Sequence, residues 1–248
     1  MQEPMKRVLF LSDVHLEPRD PKKTVRFERF LDDCSRKGAE EVYILGDLFH
    51  FWIGPEHSDL PDYRSTLRRL QEMVRGGVRI TFLHGNRDFY VGRRFQSLTG
   101  VKVVPGDLEI RLGPKRVYLA HGDMFCSRDK LYRYARYVLR SKPWKHLYHR
   151  FPVKVKYSLA RGYRGFSKWH VSKKSERTKE LVPQTLRRIF GRGADVIVCG
   201  HVHACQKRVF IVGSEEKIAF VLGSWEEGNS YLEFDGKDFV LYNGKRRE

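Results

Sequence analysis

Five short apolar runs in this chain each stop on a side chain that can hold a metal ion. Val8 to Ser12 leads into Asp13-Val14-His15, and the run through Val42-Tyr43-Ile44-Leu45 leads into Gly46-Asp47. Val78 to Leu83 precedes His84-Gly85-Asn86-Arg87-Asp88, Val117 to Ala120 precedes His121-Gly122-Asp123, and Val196 to Cys199 precedes Gly200-His201-Val202-His203. Their β-branched and aromatic members read as buried strands, and the polar endings fall where open α/β sheets bind ligands. One such ending is commonplace. Five in series restrict the chain to folds that gather strand ends at one edge.

The segments between fit that frame. Residues Val25 to Lys37 carry Phe27, Phe30, Leu31 and Cys34 at helical spacing, with Gly38 as a stop. The distance from Asp13 to Asp47 suits a strand–helix–strand crossover and hence parallel strands. His50 to Pro61 reads as a loop, Tyr63 to Arg75 as an amphipathic helix, and Val101 to Val104 with Leu108 to Leu112 as a hairpin-like pair. The tail alternates strands at Ile218 to Leu222, Tyr231 to Phe234 and Phe239 to Tyr242 with turn signals. Four cysteines without a C-x-x-C pair argue for a reducing compartment and against thiolate metal sites. No apolar run approaches the ~20 residues of a membrane span, and none near Met1 resembles a signal peptide.

Charge divides the chain unevenly. The net +18 of the 248 residues is concentrated between Arg128 and Arg192, where 20 Lys or Arg face three acids. Such a segment could be a solvated face, a nucleic-acid groove or a lid that docks on an anionic membrane. The interleaved Leu131, Val138, Leu147, Phe151, Val153, Val155 and Leu159 favour the lid, with a greasy inner wall and a cationic exterior. Leu131, Tyr134, Ala135 and Val138 share a helical face, with Arg133, Arg136 and Arg140 largely off it. Pro143 breaks that helix, and another is expected from Lys154 to about Glu180, whole or split near Gly162 or Gly165. The predicted organisation is a core of residues 1–126 and 193–248 with an inserted helical lid at 127–192.

Asp13, His15, Asp47, Asn86, His121, His201 and His203 form a mixed oxygen and imidazole set suited to Mn, Fe or Zn. Seven ligands exceed what one ion needs, but they suit two ions sharing a carboxylate. Asp88 and Asp123 are expected to orient neighbouring ligands, His84 to be structural, and Cys126 and Cys199 to be buried and inert.

The ordered series D-x-H, G-D, G-N-x-D, H-G-D and G-H-x-H resembles the calcineurin-like metallophosphoesterase superfamily. That resemblance implies an α/β (α+β) fold, a four-layer αββα sandwich of two mixed sheets. It implies that Asp13, His15 and His203 bind one metal, that Asn86, His121 and His201 bind the other, and that Asp47 bridges them. Two divalent ions, manganese first, would sit ~3.5–4 Å apart and activate water. Arg87 stands where many members have a histidine that protonates an alkoxide. Arginine stabilises phosphate charge but cannot supply that proton, which suits a leaving group that is already an anion, as in a diphosphate.

Gly46-Asp47-Leu48-Phe49 running to Trp52-Ile53-Gly54, Gly85-Asn86-Arg87-Asp88-Phe89, His121-Gly122-Asp123 and Leu222-Gly223-Ser224-Trp225 are more closely similar to the UDP-2,3-diacylglucosamine diphosphatase family of lipid A biosynthesis. The implied reaction is water attack on the α-phosphorus, giving UMP and 2,3-diacylglucosamine 1-phosphate. Asp47, Asn86, Arg87 and His121 would carry catalysis. Asn86, Arg87, Asp129, Tyr132, Arg164, Ser167, Lys174 and His201 would bind substrate, although Val171 stands where the family commonly has Asn. The implied partners are a UDP-diacylated glucosamine lipid and an anionic membrane surface, for a monomer on the cytoplasmic face of the inner membrane. The alternative is a phosphodiesterase or nuclease acting on nucleic acid from the same scaffold.

Overall fold

The computed structural model describes residues 6–126, 130–172, 181–226, 228–244 and 246–247. Strand β1 (Val8–Leu11) pairs in parallel with β2 (Glu41–Ile44), and helix α1 (Pro21–Arg36) makes the crossover. Asp20 caps α1 by accepting from Lys23 N, with Pro21 opening the first turn, so the helix begins four residues before the apolar spacing predicts. A 3-10 turn (Pro55–Asp59) and α2 (Pro61–Arg75) lead to β3 (Arg79–Leu83), which pairs in parallel with β2.

The expected hairpin is not formed. After α3 (Arg93–Thr99), β4 (Lys102–Val104) pairs in parallel with β3, whereas β5 (Leu108–Leu112) pairs antiparallel with β6 (Lys115–Ala120) in the other sheet. The chain passes between sheets at Pro105-Gly106-Asp107. Helices α4 (Asp123–Cys126), α5 (Lys130–Arg140), α6 (Lys142–His149), α7 (Val153–Ser172) and α8 (Pro183–Phe190) separate β6 from β7 (Val196–His203). Pro143 does not merely break a helix. Ser141 accepts from Trp144 N, and the proline lies in the first turn of α6. Helix α7 runs unbroken through Gly162 and Gly165.

The remaining strands are β8 (Gln206–Val212), β9 (Glu215–Gly223), β10 (Ser230–Phe234), β11 (Phe239–Asn243) and β12 (Arg246–Arg247). One sheet runs β12-β11-β10-β1-β2-β3-β4 and the other β5-β6-β7-β9-β8. Alternation within single strands sets the layers. Val8 and Phe10 face the core shared with Val117, Val198, Phe220 and Leu222, while Leu9 and Leu11 pack with Phe27, Leu31 and Leu70 of α1 and α2. The second sheet turns Ile197, Cys199 and Val221 towards Leu186 and Phe190 of α8. Helices, two mixed sheets and helices give the four layers expected.

Glu41 anchors the start of β2. It lies 2.6 Å from both Lys6 Nζ and Arg79 Nη2, and Tyr43 OH donates to it. Burial pushes its carboxyl up, but Lys6, Tyr43 and Arg79 outweigh that and hold it at about 2. A depressed folded-state pKa stabilises above the unfolded value and is lost as pH falls through the folded one. Glu41→Gln should therefore cost about 1–2 kcal/mol at pH 7, the exposed partners being screened, and the cost should shrink between pH 4.5 and 2. Urea denaturation of both proteins at pH 7 and pH 3 measures this, and an equal difference at both would contradict it.

Candidate metal centre

The strand ends converge where the two sheets meet at their C-terminal edges. Asp13 N donates to Gly46 O at 3.2 Å and His15 N to Asp47 O at 3.0 Å, so the first two loops continue the pairing of β1 with β2. Gly200 N donates to His121 O at 2.9 Å, which ties the last two loops together in the same way. The third loop is locked by Asp88, which accepts from Gly85 N at 3.0 Å, Asp47 N at 3.1 Å and Phe49 N at 3.3 Å. Burial and the neighbouring Asp47 push the Asp88 carboxyl up to about 7. Its work is to hold loops rather than rings, a more specific role than its place after Asn86 indicated.

Close backbone approach explains the glycines. A Cβ at Gly85 would stand 2.1 Å from Asp47 Oδ1 and 2.3 Å from Asp47 N, and one at Gly200 would stand 2.3 Å from Asp13 Oδ2. The candidate ligands themselves are bent. Asp13, His15, Asp47, His201 and His203 all have positive φ, between 53° and 71°, in the left-handed region that costs non-glycine residues roughly 1–2 kcal/mol each.

All seven predicted ligands meet. His203 Nε2 lies 3.3 Å from Asp13 Oδ1 and 3.2 Å from His15 Nε2. On the other side His121 Nε2 lies 2.9 Å from Asn86 Oδ1, 3.3 Å from His201 Nδ1 and 3.7 Å from Asp47 Oδ1. Asp47 stands between the groups, its Oδ2 4.0 Å from His15 Nδ1. Asp13 contributes to both groups, Asp13/His15/His203 and Asp13/Asp47/His121, which the sequence had not indicated.

The donor set fits cations. Asp13 Oδ1 and His15 Nδ1 are buried without an aligned hydrogen-bond partner. Asn86 turns its amide oxygen towards both Asp47 oxygens and His121 Nε2, an arrangement of acceptors facing acceptors unless the amide is reversed or a cation lies among them. His121 Nδ1 bonds Leu45 O at 2.9 Å, which fixes the tautomer and leaves Nε2 free to face the cluster. Burial and the nearby Arg87 guanidinium push His15 well below the usual histidine range, and burial with His121 pushes His201 down to about 4. Both shifts favour the neutral imidazole that a ligand must present. Against the effect of burial, Asp47 and Asp13 push His121 up and Asp13 pushes His203 up. Burial alone would raise Asp13, yet the hydrogen bond from His203, with His121 nearby, holds its carboxyl well below the carboxylate range. His84 stays outside the cluster, with Nε2 bonded to Val91 O at 2.7 Å.

Arg87 rims the centre. Its backbone N donates to Asp47 Oδ1 at 2.9 Å, and its Nε lies 3.3 Å from Asp47 Oδ2. Beside it opens a cavity of about 460 Å³ between the core and α5–α7, lined by Phe51, Trp52, Phe89, Tyr90, Leu139 and Trp144 among others. Trp52 and Phe89 thus reach the cavity, whereas Trp225 is fully buried against Phe27 and Phe30. Tyr132 lies on α5, and Arg164, Ser167 and Val171 lie on α7, with side chains outside the described set; Asp129 and Lys174 lie outside the described residues altogether.

Two contributors had escaped the sequence reading. Arg136 and Arg140, placed off the apolar face of α5, in fact reach the ligand loops: Arg136 Nε stands 2.7 Å from Asp123 Oδ2, and Arg140 Nη2 donates to Gly85 O at 2.7 Å. Their i, i+4 spacing was the signal available, but nothing local marks which side of a helix meets a site.

Residues 6–205 match the calcineurin-like phosphoesterase family. The chain is 34% identical over 229 residues to a UDP-2,3-diacylglucosamine hydrolase of Pseudomonas aeruginosa (strain PAO1), covering 92% of this chain and 95% of that one. It is 33% identical over 233 residues to the protein of that name from Coxiella burnetii (strain RSA 493), covering 93% and 94%. A third, from Aeromonas salmonicida, is 34% identical over 230 residues, covering 90% and 88%. With the matched span reaching from β1 through the last ligand loop, and with relatives of that identity along nearly its whole length, the chain belongs to the calcineurin-like phosphoesterase family.

Proposed function

We propose that the chain hydrolyses UDP-2,3-diacylglucosamine at its diphosphate, with water attacking the α-phosphorus to release UMP and 2,3-diacylglucosamine 1-phosphate. The observation that carries the reading is the juxtaposition of a two-group ligand cluster, an arginine at its rim and an apolar cavity opening beside that arginine. A diphosphate between a nucleoside and a two-tailed sugar has that division of polarity. The relatives' names state the same substrate.

Asp13, His15 and His203 would hold one divalent cation and Asn86, His121 and His201 the other, with Asp47 facing both and manganese the favoured ion. When bound, such a pair supplies an acidified water and neutralises phosphoryl charge. The protein's own part is orientation. Arg87, held by Asp47, presents a permanent positive charge to the substrate diphosphate, and it has no proton to give at working pH. The departing phosphate is a stable anion and needs none. Phe51, Trp52 and Tyr148 line the cavity and keep bulk water from the acyl side. Arg164, Ser167 and Lys174, with Asp129 and Tyr132, are proposed to hold the sugar phosphate and headgroup. Residues 127–192 would act as a lid on a core of residues 1–126 and 193–248.

Turnover in oxygen-18 water with Mn²⁺ tests the chemistry. Label is expected in UMP, and label only in the lipid phosphate would exclude attack on the α-phosphorus. Single-stranded DNA should remain uncut; its cleavage would favour the nuclease reading, which the apolar cavity disfavours.

A membrane partner is supported by the outer face of the lid. Tyr134 and Tyr137 are 68% and 77% exposed, and Leu147, Val153 and Val155, expected on an inner wall, are instead exposed among basic residues. No helix among the described residues is long and apolar enough to cross a membrane. The attachment proposed is peripheral, through these exposed side chains, at the cytoplasmic face of the inner membrane. The protein should float with vesicles containing anionic phospholipid and stay behind with zwitterionic ones, each surface base adding about 1 kcal/mol. Equal partitioning into both would exclude the electrostatic part.

A further inference from the structure

Among the contacts that fasten the inserted helices to the core in the described residues, two are unlike. The first turns of helix α7 are held at the 3-10 turn, where Lys156 Nζ meets Glu56 Oε1 at 2.5 Å and Tyr157 OH bonds His57 Nε2 at 3.0 Å, while Tyr163 further along α7 lines a pocket with Asn86, Arg136 and Arg140. Helix α5 is held at the cluster itself. Arg136 forms a close ion pair with Asp123, two residues after His121, and Arg140 donates to the carbonyl of Gly85, one residue before Asn86. The Arg140 guanidinium also lies over the Phe89 ring, 5.3 Å from its centroid. His121 and Asn86 are themselves 2.9 Å apart, so both arginine contacts converge on one side of the cluster. Asp123 is 3% exposed; burial pushes its carboxyl up, but His121 and Arg136 outweigh that and hold it at about 2.

We infer that Arg136 and Arg140 are positioning residues that couple the seating of α5 to cation binding at Asn86, His121 and His201. This rests on the reading of the cluster as a cation site. The physical reason is that the two loops that receive the arginines also carry Asn86 and His121, whose side chains stand 2.9 Å apart and would be drawn onto one cation. A bound cation would hold those loops in place, and with them the Gly85 carbonyl and the Asp123 carboxylate that receive α5. Coupling is reciprocal: whatever the cation does for α5, the two arginines do for cation affinity. The α7 anchor at Glu56 and His57 shares no group with the cluster, so it should be indifferent.

Hydrogen exchange of the full chain, with and without Mn²⁺, reads this without turnover. Mn²⁺ is expected to slow exchange of α5 amides by about tenfold, within the ordinary range of coupling, and to leave α7 amides near Lys156 unchanged. The double variant R136Q/R140Q should lose the α5 effect and bind Mn²⁺ about tenfold more weakly by calorimetry, while Arg136→Lys, which keeps the charge opposite Asp123, should retain part of both. Metal content measured on the same samples separates the two ways of failing. If no Mn²⁺ binds, the cation reading itself falls and the coupling with it. If Mn²⁺ binds but protects α5 equally in wild type and double variant, or protects neither, the coupling is overturned and the cation site stands.

Discussion

Asp47→Ala is expected to leave a folded protein that turns over substrate at less than about 1% of the wild-type rate, because it removes a carboxylate whose two oxygens face histidines of both candidate ligand groups. Asp47 Oδ1 lies 3.7 Å from His121 and Oδ2 lies 4.0 Å from His15. Its removal also frees Arg87, whose backbone N and Nε both meet that carboxylate. Bound metal should drop below two ions per chain. Asp47 already bears the cost of its φ of 53°, so alanine adds only its poorer tolerance of that region, about 1 kcal/mol or less and a melting-point loss of up to about 4 °C for a chain of this size. Activity above that threshold, or two ions retained, would show that Asp47 does not bridge. Collapse of the fold would show that its role is structural.

Gly85→Ala should be nearly as damaging for a steric reason. The added methyl would meet Asp47 Oδ1 at 2.1 Å and, more decisively, the backbone nitrogen of Asp47 at 2.3 Å. A side chain could swing away; that nitrogen cannot move without taking the carboxylate with it. A loss of about 3 kcal/mol in stability is expected. Displacement of the Asn86 loop should cost about 100-fold in kcat/KM, the usual penalty for misplacing a positioned group by about 1 Å. Gly165→Ala provides the opposite sign. It lies mid-helix in α7 with open space around the missing Cβ, so alanine should stabilise by about 1 kcal/mol. Denaturant unfolding of both variants decides the matter, and a neutral Gly85→Ala would mean that the loops approach less closely than described.

The candidate centre was legible because each potential ligand follows a run whose strand character is local, and because glycine marks the close approaches at Gly46, Gly85 and Gly200. What escaped was decided by partners distant in sequence. Val101 to Leu112 looks like a hairpin because two short β-type runs flank Pro105-Gly106-Asp107, yet Phe82 recruits Val103 while Val117 recruits Ile110 into the other sheet. Strand β8 starts Gln206-Lys207-Arg208, and that polar opening hides a strand which β9 pairs along its whole length. Helix α7 survives two glycines because Lys156 and Tyr157 hold it by contacts no helix propensity contains. Arg136 and Arg140 illustrate the general limit: their charge was evident, but the direction of that charge depends on where the helix docks.

The bent backbone at the cluster has a consequence for how such a chain can drift. At Asp13, His15, Asp47, His201 and His203 two unrelated demands fall on a single codon, one for a donor atom and one for a residue that tolerates a reversed turn. Asparagine meets the second demand while abandoning the charge, whereas alanine fails both. Comparing Asn with Ala at Asp13 and Asp47 therefore separates the electrostatic share of each aspartate from its conformational share. Over generations, the same overlap leaves these five sites far fewer neutral neighbours than the rigid strands that deliver them.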